Sequence, residues 1–376
     1  MTAATNASRR RIILLSPVTP ATEERSARRR PELDILRGAA VLLVVFYHAT
    51  IAMDSFLVER PAWLTGPAEA ATPFRMPVLM FLSGALLPRS LRKPPRAYLS
   101  GKLRAVAWPY LVWTTLIVGY TLLTDRIDHE LDPSRARIVE VVVNPATYTW
   151  YLAYLCVYYA LALVLPRAVR AWSVPLLLVV AGVSAHEQVV RFAFLLAMFF
   201  AGEWAARHPG AWRWTSHRIV AAIAAIVAVS LATASAIGLP LRYTPLSGIG
   251  VAAVIVAGLP LARRAATGPG GRLLARLGQD SLIYYVTHWI VIGVAAHVLI
   301  EFSVDDPAVA VPLMAVIALG VCAAMAALRR RFPAVAALHA WPARPRPTAD
   351  AGGVPETGSA RRAPSELALP ASAMGR

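Results

Sequence analysis

Two residues of the first apolar stretch can do chemistry together: Arg37 and His48, eleven positions apart in Arg37-Gly-Ala-Ala-Val-Leu-Leu-Val-Val-Phe-Tyr-His48. On an α-helix eleven steps make about three turns, so both side chains share one face, roughly 16 Å apart along the axis. A neutral imidazole takes a proton from an attacking hydroxyl near neutral pH. A guanidinium grips phosphate oxygens in a planar fork. Charge and titratable rings are costly within membrane hydrocarbon, so the pair marks a functional site. The plainer reading is an arginine that snorkels to the headgroup boundary.

Around this pair the other reactive types are sparse. His288 and His297 also fall within apolar runs, where an imidazole needs the bundle interior or a polar cavity. His129, His186, His208, His217 and His339 fall in loops or tails and are expected to be solvated. Ser83, in Phe81-Leu82-Ser83-Gly84, lacks the G-x-S-x-G elbow of a serine nucleophile, and close helix packing is the better reading of Ser83-Gly84. No His, Cys or carboxylate grouping has metal-ligand spacing, and no glycine-rich phosphate loop is present. Cys156 and Cys322 lie in apolar runs and read as small hydrophobes.

Two clusters suit binding. Arg89, Arg92, Lys93, Arg96, Lys102 and Arg104 crowd one short loop, either to hold topology or to bind a phosphate-bearing donor. Tyr148, Trp150, Tyr151 and Tyr154 form either an interface belt or a stacking surface for a sugar ring. Tyr284 and Tyr285 precede His288 and are interface or cavity residues.

The elements that must position these residues are membrane helices. Of 376 residues 57% are hydrophobic and only 16% charged, and mean hydropathy is +0.54. Soluble domains carry about 25% charged residues, so an all-α polytopic bundle is favoured. Ten apolar segments are expected: 35–53, 73–87, 105–124, 147–165, 172–185, 189–205, 219–237, 244–261, 281–300 and 308–328. The second and fifth are short for the ~20 residues a spanning helix needs. The net charge of +17 arises at the flanks of these runs, which fits topology signals rather than nucleic-acid binding. With the first span leaving outward, 30 of the 38 Lys and Arg lie on the cytoplasmic side and 7 outside, so both termini are expected in the cytoplasm. Residues 1–34 read as a disordered basic arm without a signal-peptide core, 35–328 as one membrane domain, and 329–376 as a disordered Pro/Ala/Arg-rich tail. The acidic loop 125–146 reads as a solvated connector.

In sequence order, five motifs resemble integral-membrane acyltransferase family 3. They are Leu33-Asp34-Ile35-Leu36-Arg37-Gly38 with His48, Phe81-Leu82-Ser83-Gly84, Lys102-x-Arg104 before Pro109-Tyr110, Trp150-Tyr151-Leu152, and Leu277-Gly278 to Ser281 with Tyr284 and His288. The likeness runs over about residues 30–330. The basic element before span three, Ser-Gly-Lys-Leu-Arg, is sparser than the family's run, and no extracytoplasmic hydrolase-like domain follows.

The resemblance implies a multi-pass protein of the cell inner (plasma) membrane that moves an acyl group, often acetyl, from cytosolic acyl-CoA to a hydroxyl of an envelope carbohydrate. It implies His48 as general base, with a covalent acyl-histidine as the other chemistry. Arg37, Lys102 and Arg104 would contact the donor. Ser83, Trp150, Tyr151, Tyr284 and His288 would line the cavity or meet the acceptor. The donor is acyl-CoA, with no metal or prosthetic group and no nucleic acid. The competing class is a proton-coupled secondary transporter, against which stands the lack of paired carboxylates within the spans.

Overall fold

The computed structural model describes residues 30–56, 59–127, 148–213, 215 and 217–342, and all regular structure among them is helical. The chain-order helices are α1 (Pro31–Ile51), α2 (Ala62–Ala71), α3 (Arg75–Gly84), α4 (Pro95–Lys102), α5 (Trp108–Ile127), α6 (Trp150–Val164), α7 (Arg167–Val183), α8 (Glu187–Arg207), α9 (Arg218–Ala236), α10 (Pro245–Ala265), α11 (Pro269–Gln279), α12 (Ser281–Glu301), α13 (Pro307–Leu328) and α14 (Pro333–His339). Among the described residues each expected apolar segment is helical over most of its length, and seven stretches are long and apolar enough to cross a membrane: Pro31–Phe56, Ala62–Ser90, Glu187–Arg207, Arg218–Ala236, Pro245–Ala265, Ser281–Glu301 and Pro307–Leu328. Seven of the ten expected spans therefore meet the length and composition of a crossing helix among the described residues. α6 and α7 have 15 and 17 residues, a rise of about 22 and 26 Å against a hydrocarbon layer of ~30 Å.

Local chemistry sets the helix ends. α1 starts at Pro31 with Glu32 and Asp34 in its first turn, where a fixed φ and negative charge suit the exposed N–H groups. Asp306 caps α13 by accepting from the Ala308 amide at 2.8 Å. Between α4 and α5 the backbone forms a π-helical stretch, Leu103–Ala107, a bulge of the kind found beside functional sites.

Glycine pairs draw the central helices together. A Cβ on Gly84 would run into the Phe199 carbonyl, and one on Gly202 into that of Phe81, so α3 and α8 touch backbone to backbone. Gly38 and Gly278 do the same for α1 and α11, against the carbonyls of Leu274 and Asp34. Ala62–Ser90 is mostly buried, whereas α9 presents nearly all of its surface outward. The core is aromatic, with Tyr158, Phe194, Phe199 and Phe200 fully buried.

The ends of the membrane domain differ from expectation. Residues 31–34 form the first turn of α1 rather than part of an arm. Residues 329–342, expected in a disordered tail, include α14, which folds back onto α5. Trp108 Nε1 donates to the Ala337 carbonyl at 2.6 Å and Trp113 Nε1 to that of Leu338 at 3.1 Å. The buried indole donors and backbone acceptors satisfy each other, which composition cannot reveal. The arm 1–29, most of the acidic loop including His129, and the tail beyond 342 lie outside the described residues.

Candidate active site

His48 and His288 meet. α1 and α12 run side by side in the same direction, packing Val45, Ala49 and Met53 against Ile292, Ala295 and Leu299. This register brings His48 Nδ1 to 2.7 Å from His288 Nε2. His288 is wholly buried, and its Nδ1 lies 2.8 Å from the Tyr284 carbonyl one turn earlier. A carbonyl only accepts, so His288 carries its proton on Nδ1 and presents a lone pair on Nε2. His48 Nδ1 must then donate to that lone pair. The chain of bonds leaves His48 Nε2 unprotonated: a base whose tautomer is set by two hydrogen bonds behind it. Trp289 stands edge-on to His48 with centroids 5.0 Å apart, and Tyr148 lies 5.7 Å from His288. Tyr148 is fixed by donating to the Val286 carbonyl at 2.6 Å, and Tyr285 donates to the Tyr148 carbonyl.

Arg37 stands about three turns before His48 on α1, where two cavities adjoin. Its Nη2 donates to the Leu82 carbonyl at 3.2 Å, and Nη1 is 3.6 Å from Asp34 Oδ1. The outer cavity, about 510 Å³, opens at the end of the bundle where α1 begins and carries Arg30, Arg89 and Arg92. The inner one, about 170 Å³, shares Arg37 and Leu86 with it and runs past Ser83, Val106 and Tyr151 to Tyr285. The Tyr285 ring is 6.2 Å from that of His288. His48 and His288 line neither cavity; the aromatic wall separates them from the inner one. At the far end of α1 a third cavity of about 300 Å³ is lined by Tyr47, the neighbour of His48. The histidine pair thus stands between cavities entered from opposite ends.

The sequence candidates divide accordingly. Arg37, Ser83 and Tyr151 come together at the inner cavity, with Ser83 Oγ 3.1 Å from Tyr151 Oη and 2.8 Å from the Leu79 carbonyl. Tyr284 contributes its carbonyl rather than its ring, and Tyr285 is the cavity wall. Trp150 is not on either cavity and faces Arg191, whose guanidinium lies 5.1 Å from its ring centre. Lys102 and Arg104 line neither cavity. Lys102 Nζ sits 3.5 Å from the centre of the Tyr159 ring and 5.7 Å from that of Tyr98. Burial, with added repulsion from Lys93, brings the Lys102 ammonium down to about 8. The Arg104 side chain is exposed, and its carbonyl accepts from Trp341 N at 3.1 Å.

Two expectations for histidines are corrected. His297 is exposed, because the Gly293 carbonyl 2.8 Å away satisfies its Nδ1 without an interior partner. His339 is buried, as α14 presses it against Trp113. Sequence reasoning missed Arg30, Arg75 and Trp289. An arginine inside an apolar run was the available signal for Arg75.

Among the described residues no group of His, Cys, Asp and Glu could hold a metal ion. The chain matches a family model described as an acyltransferase domain over residues 30–327. No curated protein and no solved structure matches it.

Proposed function

The chain belongs to the acyltransferase-3 family of membrane proteins, and on that premise we propose that it transfers an acyl group, acetyl by preference, from cytosolic acyl-CoA to a hydroxyl of an envelope carbohydrate in the inner membrane. The observation that carries this reading is the bond chain Tyr284 carbonyl, His288, His48, which leaves His48 Nε2 as a free lone pair.

In the proposed reaction His48 Nε2 takes the acceptor's hydroxyl proton as that oxygen forms its bond to the thioester carbonyl carbon. The tetrahedral adduct collapses, the carbon–sulfur bond breaks, and the thiolate leaves with the proton returned from Nε2. His288 Nε2 holds the imidazolium's Nδ1 proton throughout, so the ring neither turns nor changes tautomer. Arg30, Arg37, Arg89 and Arg92 suit the donor's phosphates at the wide cavity. The narrow cavity beyond Arg37 would take the donor's pantetheine arm, and Tyr285 at its end would yield to let the thioester reach His48. Lys102 and Arg104, implied as donor contacts by resemblance, lie outside these cavities and are proposed only as flanking charge.

Proton-coupled transport is less well supported. The buried carboxylates Glu203 and Asp280 are each paired with two arginines: Arg170 and Arg207 at 2.7 and 2.8 Å, Arg330 and Arg329 at 2.6 and 3.1 Å. Each carboxylate is thus engaged by two guanidinium groups rather than presented to a solute path.

The test supplies radiolabelled acetyl-CoA to inside-out vesicles and scores label on lumenal or membrane glycan. Label is expected with the parent chain and absent with His48→Ala. Label that persists in His48→Ala removes the base, and solute uptake without acyl incorporation replaces the reading with transport.

A further inference from the structure

Arg75 is a buried cation that touches no carboxylate among the described residues; the exposed Glu69 acts on it only through space. It stands in the first turn of α3, 5% exposed, inside the membrane-length stretch Ala62–Ser90. Its Nη1 donates to Thr72 Oγ1 at 2.7 Å and, at 3.5 Å, to the Ala68 carbonyl. Its guanidinium carbon lies 3.5 Å from the centre of the Tyr47 ring. The other buried arginine of the core, Arg170, has a bidentate carboxylate in Glu203 at 2.7 and 2.8 Å. Among the described residues Arg75 forms no ion pair at all. A hydroxyl and an aromatic face recover only part of what a guanidinium loses on leaving water. A ligand anion would supply the rest.

Space for such a ligand lies alongside. Tyr47 and Thr72, the two partners of Arg75, both line the 300 Å³ cavity at the far end of α1, and Arg242 joins them. Arg242 is exposed, with its guanidinium 5.2 Å from the ring centre of Tyr243. Tyr243 is buried and has φ +61°, a left-handed conformation unusual for a tyrosine, which holds the loop and its arginine in place. Two carboxylates are near: Glu69 lines the cavity and Glu187 faces Arg242. Both are exposed, so water and salt weaken their fields, while that of the buried Arg75 is little screened. Arg75 does not itself line the cavity; it lies directly behind Tyr47 and Thr72, so its charge acts through that wall, which adjoins His48 through Tyr47.

We propose that Arg75 and Arg242, with Tyr47 and Thr72, form an acceptor subsite that seats an oxyanion carried by the hydroxylated substrate. The acceptor is then an acidic sugar or a sugar phosphate rather than a neutral glycan. This rests on the transfer reading above, and it adds which end of the molecule the acceptor enters and what charge it bears. Arg75 is a positioning charge here, attracting the anion from behind Tyr47 and Thr72 while a hydroxyl of the same molecule points to His48.

The test measures binding without any donor, on the full chain in phosphatidylcholine nanodiscs. The probes are methyl glucuronide, glucose 1-phosphate and the neutral methyl glucoside. At least one of the two anions is expected to bind about tenfold tighter than the glucoside or more. Arg242→Gln, at the exposed rim, and Arg75→Gln should each reduce that preference severalfold, with acetyl-CoA binding retained as proof of folding. If Arg75→Gln fails to fold, Arg242→Gln carries the test, and the charge-keeping Arg75→Lys should retain the preference. Equal affinity for charged and neutral probes, or a preference that survives Arg242→Gln and, where it folds, Arg75→Gln, overturns the subsite. Acyl transfer to neutral sugars with no anion preference sinks the subsite alone. Selective anion binding without any transfer sinks the transfer reading alone.

Discussion

Replacing His288 with phenylalanine keeps a ring in the bundle and removes the acceptor for His48 Nδ1. In the parent chain that bond is 2.7 Å long and its acceptor ring is fully buried, so no water stands ready to replace it. The bond matters most when His48 carries the extra proton, because a hydrogen bond to a charged group contributes about 1.5–3 kcal/mol. Divided by 1.36 kcal/mol per decade of rate, that is a loss of about 10- to 150-fold in kcat. KM for the donor should stay within a few-fold, since the basic cavity around Arg37 does not touch His288. His288→Gln can place an amide oxygen near the lost Nε2 and should recover part of the rate. The measurement is steady-state transfer from acetyl-CoA by protein in nanodiscs, with His48→Ala as the inactive reference. A phenylalanine variant at parental kcat would refute the reasoning. A loss as deep as that of His48→Ala would exchange the roles of the two rings.

Lys102 and Lys93 are the two lysines of the chain, so amine acetylation read by mass spectrometry separates them. With its ammonium brought down to about 8, Lys102 is neutral over more of the alkaline range, and its labelling should reach half-maximal rate near pH 8. A half-maximal rate reached only well above pH 8 would refute the burial argument. Gly84→Ala forces the α3 and α8 backbones apart and should destabilise the bundle by about 1–3 kcal/mol. Gly101→Ala, where the added carbon meets nothing, should leave thermal unfolding in detergent unchanged or slightly raised. Trp113→Phe removes a hydrogen bond of about 1 kcal/mol to α14, so proteolysis within 329–342 should quicken about fivefold; an unchanged rate means α14 is held by other contacts.

Periodicity and composition were enough to identify the membrane class, the helical nature of the apolar segments and the placement of Arg37 and His48 on one helix. These are local properties: a run of apolar residues and the eleven-residue spacing on one helix face need no partner to be read. Ser83-Gly84 was legible as a packing contact for the same reason, though its partner Gly202 was not.

Tertiary structure decided which distant residues meet. His48 and His288 are 240 positions apart, and only the parallel register of α1 and α12 converts two histidines into one oriented base. The basic loop offered six equivalent cations, and folding turned Arg89 and Arg92 into the wide cavity while leaning Lys102 on Tyr159. Arg75, indistinguishable from a topology signal in one dimension, became a buried charge because α2 and α3 continue as one long stretch through the centre of the bundle. Spacing along a helix is encoded residue by residue. Burial and pairing belong to the whole packed bundle, and they set the electrostatics on which the chemistry depends.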